Sequence, residues 1–349
     1  MRRILVGLGL LFGCVVLFSV LGFQQWLNKP IALKEEDRTL VLKKGDSVAR
    51  LAYQLERKGI LCNPKLLIGY ARLTGQDNIK VGEYQLEEGI TPAELLSRLV
   101  AGDVVRYSIT LVEGWTVNQA VVHIQQQPEI VKTLESEAEI DQWFAGFELP
   151  NKNPEGWLFP DTYQFERGAT DKELLERALL RMRNVLEEEW LSRNESVPYA
   201  NAFEALIMAS IVEKETGVAS ERGEIAGVFV RRLHKGMRLQ TDPTVIYGLG
   251  DSYKGNIRRK HLRQPTPYNT YVINGLPPTP IALAGREAIE AALNPRDGKS
   301  LYFVAKGDGS HYFSETLEEH ERAVKQYQLK RVENYRSSPN NALQSTSTE

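Results

Sequence analysis

Twenty consecutive uncharged residues, Ile4 to Phe23, follow the basic start Met1-Arg2-Arg3. At 1.5 Å per residue this run is long enough to cross the hydrocarbon core of a bilayer as a helix. It outlasts the apolar region of a usual signal peptide, and no Ala-x-Ala-like cleavage site precedes the polar Gln24-Gln25. The expectation is an uncleaved N-terminal transmembrane helix with Arg2 and Arg3 cytoplasmic and Trp26 at the opposite interface. Everything after it must then fold outside the cytoplasmic membrane. No second segment approaches this length.

The remainder has the composition of a globular protein. The 349 residues are 42% hydrophobic and 25% charged with a net charge of -2, so no electrostatic footprint for nucleic acid is present. Cys14 lies in the apolar run and Cys62 far from it, which argues against a disulfide, and the five histidines are scattered. No metal or cofactor is expected.

The chain reads as α+β. Residues 1–25 are assigned to the anchor and 26–38 to a charged linker. Residues 39–106 form a small subdomain with a weak repeat of strand, glycine turn and capped helix. Thr39 to Leu42 leads to Gly45 and a helix from Ser47 with Val48, Leu51, Ala52 and Leu55 inward. A further helix spans about Asn63 to Arg72. Val81 to Leu86 then leads to Gly89, Thr91-Pro92 and the apolar positions Leu95, Leu96 and Leu99. The repeat returns at Tyr107 to Val112, Gly114 and Thr116. Residues 107–336 form a mixed α+β domain, and 337–349 a polar tail without apolar periodicity, expected to be disordered.

Within the larger domain, Trp157, Phe159, Tyr163 and Phe165 make an aromatic run that either stacks on sugars or fills a core; the core is expected. Thr170 with Glu173 is a capping box opening a long amphipathic helix to about Leu191. A helix beginning near Asn201 places Met208, Ile211, Val212 and Glu215 on one face, with Glu213 on the other beside Leu206 and Ser210. Glu215 on an apolar stripe should have a raised pKa, as a general acid requires, and Glu213 a different environment. Another helix runs from Ser220 to about Gly236. Asp242 before Pro243 reads as an N-cap, and alternatively as a second carboxylate. Arg258 to Arg263 reads as a solvated basic surface and Thr266 to Ile273 as extended. Leu301–Ala305 and His311–Ser314 read as a hairpin, and about Leu317 to Tyr335 as a final helix.

Several strings resemble the endolytic murein transglycosylase (YceG-like) family. They are Ala209-Ser210-Ile211-Val212-Glu213-Lys214-Glu215-Thr216, Ala219-Ser220-Glu221-Arg222, Gly236 to Gly248, Pro267 to Tyr271, Gly275-Leu276-Pro277-Pro278 and Glu155 to Tyr163. The resemblance implies Glu215 as the catalytic glutamate on a helix. It offers Ser220, Glu221, Gln240, Tyr247, Asn269 and Tyr271 as substrate-orienting positions. It also implies a LysM-like character for residues 39–106. The implied activity is a membrane-anchored lyase that cuts the MurNAc–GlcNAc bond within nascent peptidoglycan strands, leaving 1,6-anhydroMurNAc ends and terminating elongation. Implied partners are glycan strands, the inner (cytoplasmic) membrane and peptidoglycan synthases. Two rivals are a hydrolase of the same polymer using Asp242 as the second carboxylate, and a non-enzymatic wall-binding scaffold.

Overall fold

The structure is a computed structural model that describes residues 2–329. The apolar run forms one helix, α1 (Arg2–Leu27). Its segment Gly7–Leu27 has the length and hydropathy of a membrane span. The described residues divide into two compact units, 2–108 with 164–169, and 109–163 with 170–329.

In the first unit, β1 (Thr39–Leu42) is followed by α2 (Val48–Arg57), α3 (Pro64–Thr74), β2 (Gly82–Gln85) and α4 (Pro92–Ala101). β1 and β2 pair antiparallel, with Thr39 opposite Gln85 and Leu42 opposite Gly82. The repeat read from sequence is present in the backbone. Gly45, Gly89 and, at its third occurrence, Gly114 have φ of 91°, 84° and 79°, the left-handed region where a side chain is strained. Each is followed two residues later by a capping side chain, from Ser47, Thr91 or Thr116. The core joins Leu42, Leu51, Leu55, Leu67, Tyr84, Leu95 and Leu99. The end of α1 belongs to this unit: Leu27 is buried, and Trp26 donates its indole N–H to the Cys62 carbonyl at 3.1 Å. The buried Tyr84 hydroxyl is satisfied by the Lys80 and Leu99 carbonyls.

The unit boundaries fall within the next strand, β3 (Arg106–Thr110), and within β4 (Thr162–Glu166). The second unit contains α5 (Val117–Gln125), α6 (Glu137–Ala145), α7 (Asp171–Leu191), α8 (Ala202–Glu215), α9 (Ala219–His234) and α10 (Asp242–Leu249). These are followed by α11 (Arg259–Arg263), α12 (Arg286–Leu293), the hairpin β5 (Tyr302–Ala305) with β6 (His311–Ser314), and α13 (Leu317–Val324). α8 is its central element. Ala205 to Val212 are all buried, so the helix is covered on every side rather than along one stripe. Most of that cover comes from α12 and α9; Ala288, Ala291 and Ala292 of α12 are small and buried, which lets the two helix backbones approach closely. The loop ahead of α12 is tied on by the Ser210 hydroxyl, which accepts from Ile281 N–H at 3.0 Å while donating to the Ile207 carbonyl.

The aromatic run is core: Trp157, Phe159, Tyr163 and Phe165 are buried, and Trp157 stacks on Phe203. The long helix opens with the Thr170–Glu173 capping box, and the β5–β6 hairpin is antiparallel in the register Tyr302 to Ser314 and Ala305 to His311. Two expectations are corrected. Thr266 to Ile273 forms turns rather than an extended segment, because the Asn269 carboxamide accepts from Tyr271 N–H and the Asn269 carbonyl closes onto Val272 and Ile273. Asp242 is the first residue of α10 and not its N-cap; Thr241 occupies that position. The expected end of the final helix at Tyr335 and the tail 337–349 lie outside the described residues.

Candidate active site

α8 presents its carboxyls in its last turn. It starts cleanly because Asn201 accepts from Glu204 N–H at 3.1 Å, and it stops at Thr216, whose hydroxyl accepts from Val218 N–H. A carboxylate at a helix C-terminus faces the negative end of the helix dipole. Both Glu213 and Glu215 sit there.

Glu215 accepts a short hydrogen bond from the Thr241 hydroxyl. Burial pushes its carboxyl up to about 7; the Thr241 hydrogen bond and the Arg232 charge oppose the rise, and the neighbouring Asp242 adds to it. Its surroundings are built rather than incidental. Thr241 N–H donates to the Thr270 hydroxyl at 3.0 Å, and the Thr244 hydroxyl donates to the Thr241 carbonyl at 2.8 Å. Arg232 is buried, with Nε donating to the Leu301 carbonyl at 2.6 Å and Nη1 to the Leu239 carbonyl at 2.7 Å, and its guanidinium lies 5.0 Å from the Tyr302 ring centre. Asp242 is exposed and accepts from the Tyr271 hydroxyl at 2.7 Å.

The expected contrast between the two glutamates is corrected. Glu213 does point to the opposite face, but α12 covers that face as well. Its carboxyl is also pushed up to about 7, first by burial and then by the nearby Glu113; Gly285 N–H, donating at 3.0 Å, and Arg222, 3.8 Å away, hold it back. Helical spacing turns the two carboxyls to opposite faces, but both faces are largely covered. What separates the pair is company. Glu215 lies beside the exposed Asp242, whereas Glu213 is tied to the start of α12 and to Arg222, which also pairs with Glu287.

The substrate-orienting candidates divide. Gln240 is exposed with a positive φ of 53°, its N–H fixed on the Thr270 carbonyl. Tyr271 is half-buried on Asp242, and burial pushes its phenol up. Tyr247 donates to buried Glu155 at 3.0 Å. Ser220 is exposed. Asn269 and Glu221 are engaged within the fold. Asn269 is buried, with its amide donating to the His261 and Gln264 carbonyls at 3.1 and 2.7 Å, so it braces a turn. The two carboxylate oxygens of Glu221 are occupied by His311 N–H at 3.0 Å and by the His311 ring at 2.8 Å.

Three contributors were not singled out from sequence. Thr241 lies inside a quoted string but was overshadowed by Asp242. Arg232 reads as one more helix-end cation. Glu155 accepts from Val117 N–H and from Tyr247 of α10, and burial pushes its carboxyl up; a carboxylate that meets its partner 92 residues away leaves no local pattern. Among the described residues, no cluster of His, Cys, Asp and Glu has the makings of a metal site.

Comparison with known proteins agrees across methods. The YceG-like family model matches residues 40–326. An endolytic murein transglycosylase of Bacillus subtilis (strain 168) is 32% identical over 314 residues, covering 84% of this chain and 87% of that protein. One from Streptococcus pneumoniae serotype 2 (strain D39 / NCTC 7466) is 28% identical over 341 residues, covering 88% of this chain but 62% of the longer relative. Among solved structures, the 2.6 Å crystal structure of a YceG-like protein from Listeria monocytogenes matches with a TM-score of 0.53 at 31% identity. The match covers 81% of this chain and 98% of that one.

Proposed function

Because the chain belongs to the YceG-like family, we propose that it is an endolytic murein transglycosylase, a lyase, with Glu215 as its acid and base. The observation that carries the assignment is a half-buried carboxyl, pushed to about 7 and held by Thr241 at the end of α8, at the position the family motif selects. Near neutral pH such a group is available in both protonation states. Protonated, it donates to the glycosidic oxygen as the bond to the muramyl C1 breaks. The carboxylate left behind is stabilised by the Thr241 hydroxyl and by the Arg232 charge. It then takes the proton from the 6-hydroxyl of the same muramyl residue, whose oxygen closes on C1. The product is a 1,6-anhydro end, with no water consumed. Gln240 and Tyr271, beside Glu215, are the side chains proposed to orient the sugars.

The same proposal makes α1 a single-pass anchor in the cytoplasmic membrane, with both units outside. It gives the first unit a LysM-like, glycan-holding role, for which the groove between β1 and α2, lined by Thr39, Val41, Gln54 and Lys58, is the candidate surface. Cleavage of nascent strands would limit their length, with synthases as neighbours.

One observation favours a second reading. Asp242 is an exposed carboxylate next to Glu215 and could activate water. Mass spectrometry of strands digested by the purified protein separates the two: hydrolysis adds one water per cut, and transglycosylation adds none. Anhydro ends that persist in Asp242→Asn support the single-carboxyl mechanism; reducing ends lost in Asp242→Asn support the hydrolase.

A further inference from the structure

The segment between Gly250 and Gln264 carries five lysines and arginines against one acid, Asp251, in a chain whose acids outnumber its bases 45 to 43. Lys254, Arg258, Arg259, Lys260 and Arg263 are all exposed. Among the described residues, none of the five pairs with a carboxylate, whereas exposed arginines elsewhere in the same unit do: Arg286 bonds Glu188 and Glu189, and Arg322 bonds Glu318. Concentrated like charge repels itself and raises the local concentration of anions.

The segment is also anchored. Arg258 N–H donates to the His261 ring at 3.1 Å. The buried Asn269 amide grips the His261 and Gln264 carbonyls, and the Asn269 oxygen accepts from Tyr271 N–H at 3.0 Å. Tyr271 in turn bonds Asp242 beside Glu215. An open pocket of about 440 Å³ lies against this segment, lined by Gly248, Leu249, Ser252, Lys260, His261 and Gln264, within the size range of ligand sites. Its first two residues end α10, the helix whose other end carries Asp242. The eight residues of α10 separate pocket and site by about 12 Å at 1.5 Å per residue.

We propose that this pocket, with Lys260 in its lining and the other four cations on the adjoining segment, receives the carboxylates of the peptides borne by the glycan strand, so that the enzyme discriminates strands by the charge of their peptides. The inference rests on the transglycosylase reading. N-acetylated sugars joined by glycosidic bonds carry no charge, so the anionic groups of such a strand are the carboxylates of its peptides. A sugar residue held at Glu215 places a neighbouring peptide within one helix length of the pocket. Sugar faces are met by aromatic side chains, and the pocket lining contains none apart from His261.

The test compares two substrates: strands with free peptide carboxylates, and the same strands with those carboxylates capped as methylamides. Exposed pairs are individually weak and salt-sensitive, but five together should be measurable. Wild-type protein should cleave free strands about tenfold more efficiently than capped ones at low salt, an advantage that added salt removes. The combined variant K254Q/R258Q/R259Q/K260Q/R263Q should treat both substrates alike, at the wild-type rate for capped strands and with unchanged melting. Wild-type indifference to capping overturns the proposal without any variant. So does an equal loss by the variant on both substrates. If the variant loses adhesion to phosphatidylglycerol vesicles but keeps the substrate preference, the patch serves lipid headgroups and the proposal is wrong. If wild-type protein cuts neither strand, the transglycosylase reading fails first, and this inference with it.

Discussion

Replacing Glu215 by glutamine should remove activity and stabilise the fold at alkaline pH, two effects with one cause. The carboxyl ionises near 4.5 in the unfolded chain and near 7 in the folded one. Between those values the folded state binds the extra proton, so stability falls as pH rises from 4.5, and the fall is complete above about 7. A shift of that size corresponds to about 3 kcal/mol; because the residue is only half-buried, solvent reduces it to about 2 kcal/mol. Glu215→Gln keeps the shape and can accept from Thr241 but does not ionise. At pH 8 it should unfold about 2 kcal/mol less readily than wild type, or roughly 4–8 °C higher, and near pH 4.5 the difference should vanish. A positioned general acid is worth about 10²–10⁴-fold, and in the proposed reaction the same group also serves as base, so turnover should drop by at least the upper value. Glu213→Gln should gain similar alkaline stability, since its carboxyl is pushed up as far, and should keep most of its turnover. Melting at a series of pH values, with anhydro ends counted by mass, reads both effects. A Glu215→Gln protein that retains a tenth of the wild-type rate, or that shows no alkaline stabilisation, refutes the reasoning; so does an inactive Glu213→Gln beside an active Glu215→Gln.

Thr241→Val deletes the donor that favours the Glu215 carboxylate, so the alkaline limb of the kcat–pH profile should move to higher pH; a limb that stays in place or moves down excludes that role. Asp171 is buried and accepts from Gln125, from Thr133 and from Leu134 N–H, which hold its carboxyl below the usual range. Asp171→Ala should cost about 2–4 kcal/mol in urea unfolding at neutral pH, with the difference narrowing below pH 4 as the wild-type group protonates. Trp26 and Leu27 pack into the first unit, so a chain starting at Gln24 should melt as the full protein does, while one starting at Lys29 should lose about 3 kcal/mol from that unit. Equal melting of the two would show that α1 ends earlier as a structural element.

Local pattern alone determined much here. The apolar run, the three glycine turns with Ser47, Thr91 and Thr116 two residues on, the Thr170–Glu173 box and the β5–β6 hairpin all rest on interactions within a few residues, and the structure contains each of them. The family strings point to the end of α8, where the proposed reaction is placed. α12 went unread, although it covers most of α8, because an Ala-rich eight-residue segment has little signal of its own and is helical through what it packs against. That packing decided the fate of the glutamate pair. Helical spacing can turn Glu213 and Glu215 to opposite faces, but whether a face meets water depends on residues outside the helix, and here Gly285 and Arg222 close one face as Thr241 closes the other. Tertiary contacts also tie Glu221 to His311 and leave Asp242 exposed beside Glu215. A pKa is set by every neighbour in space, and the chain brings those neighbours together only when it folds.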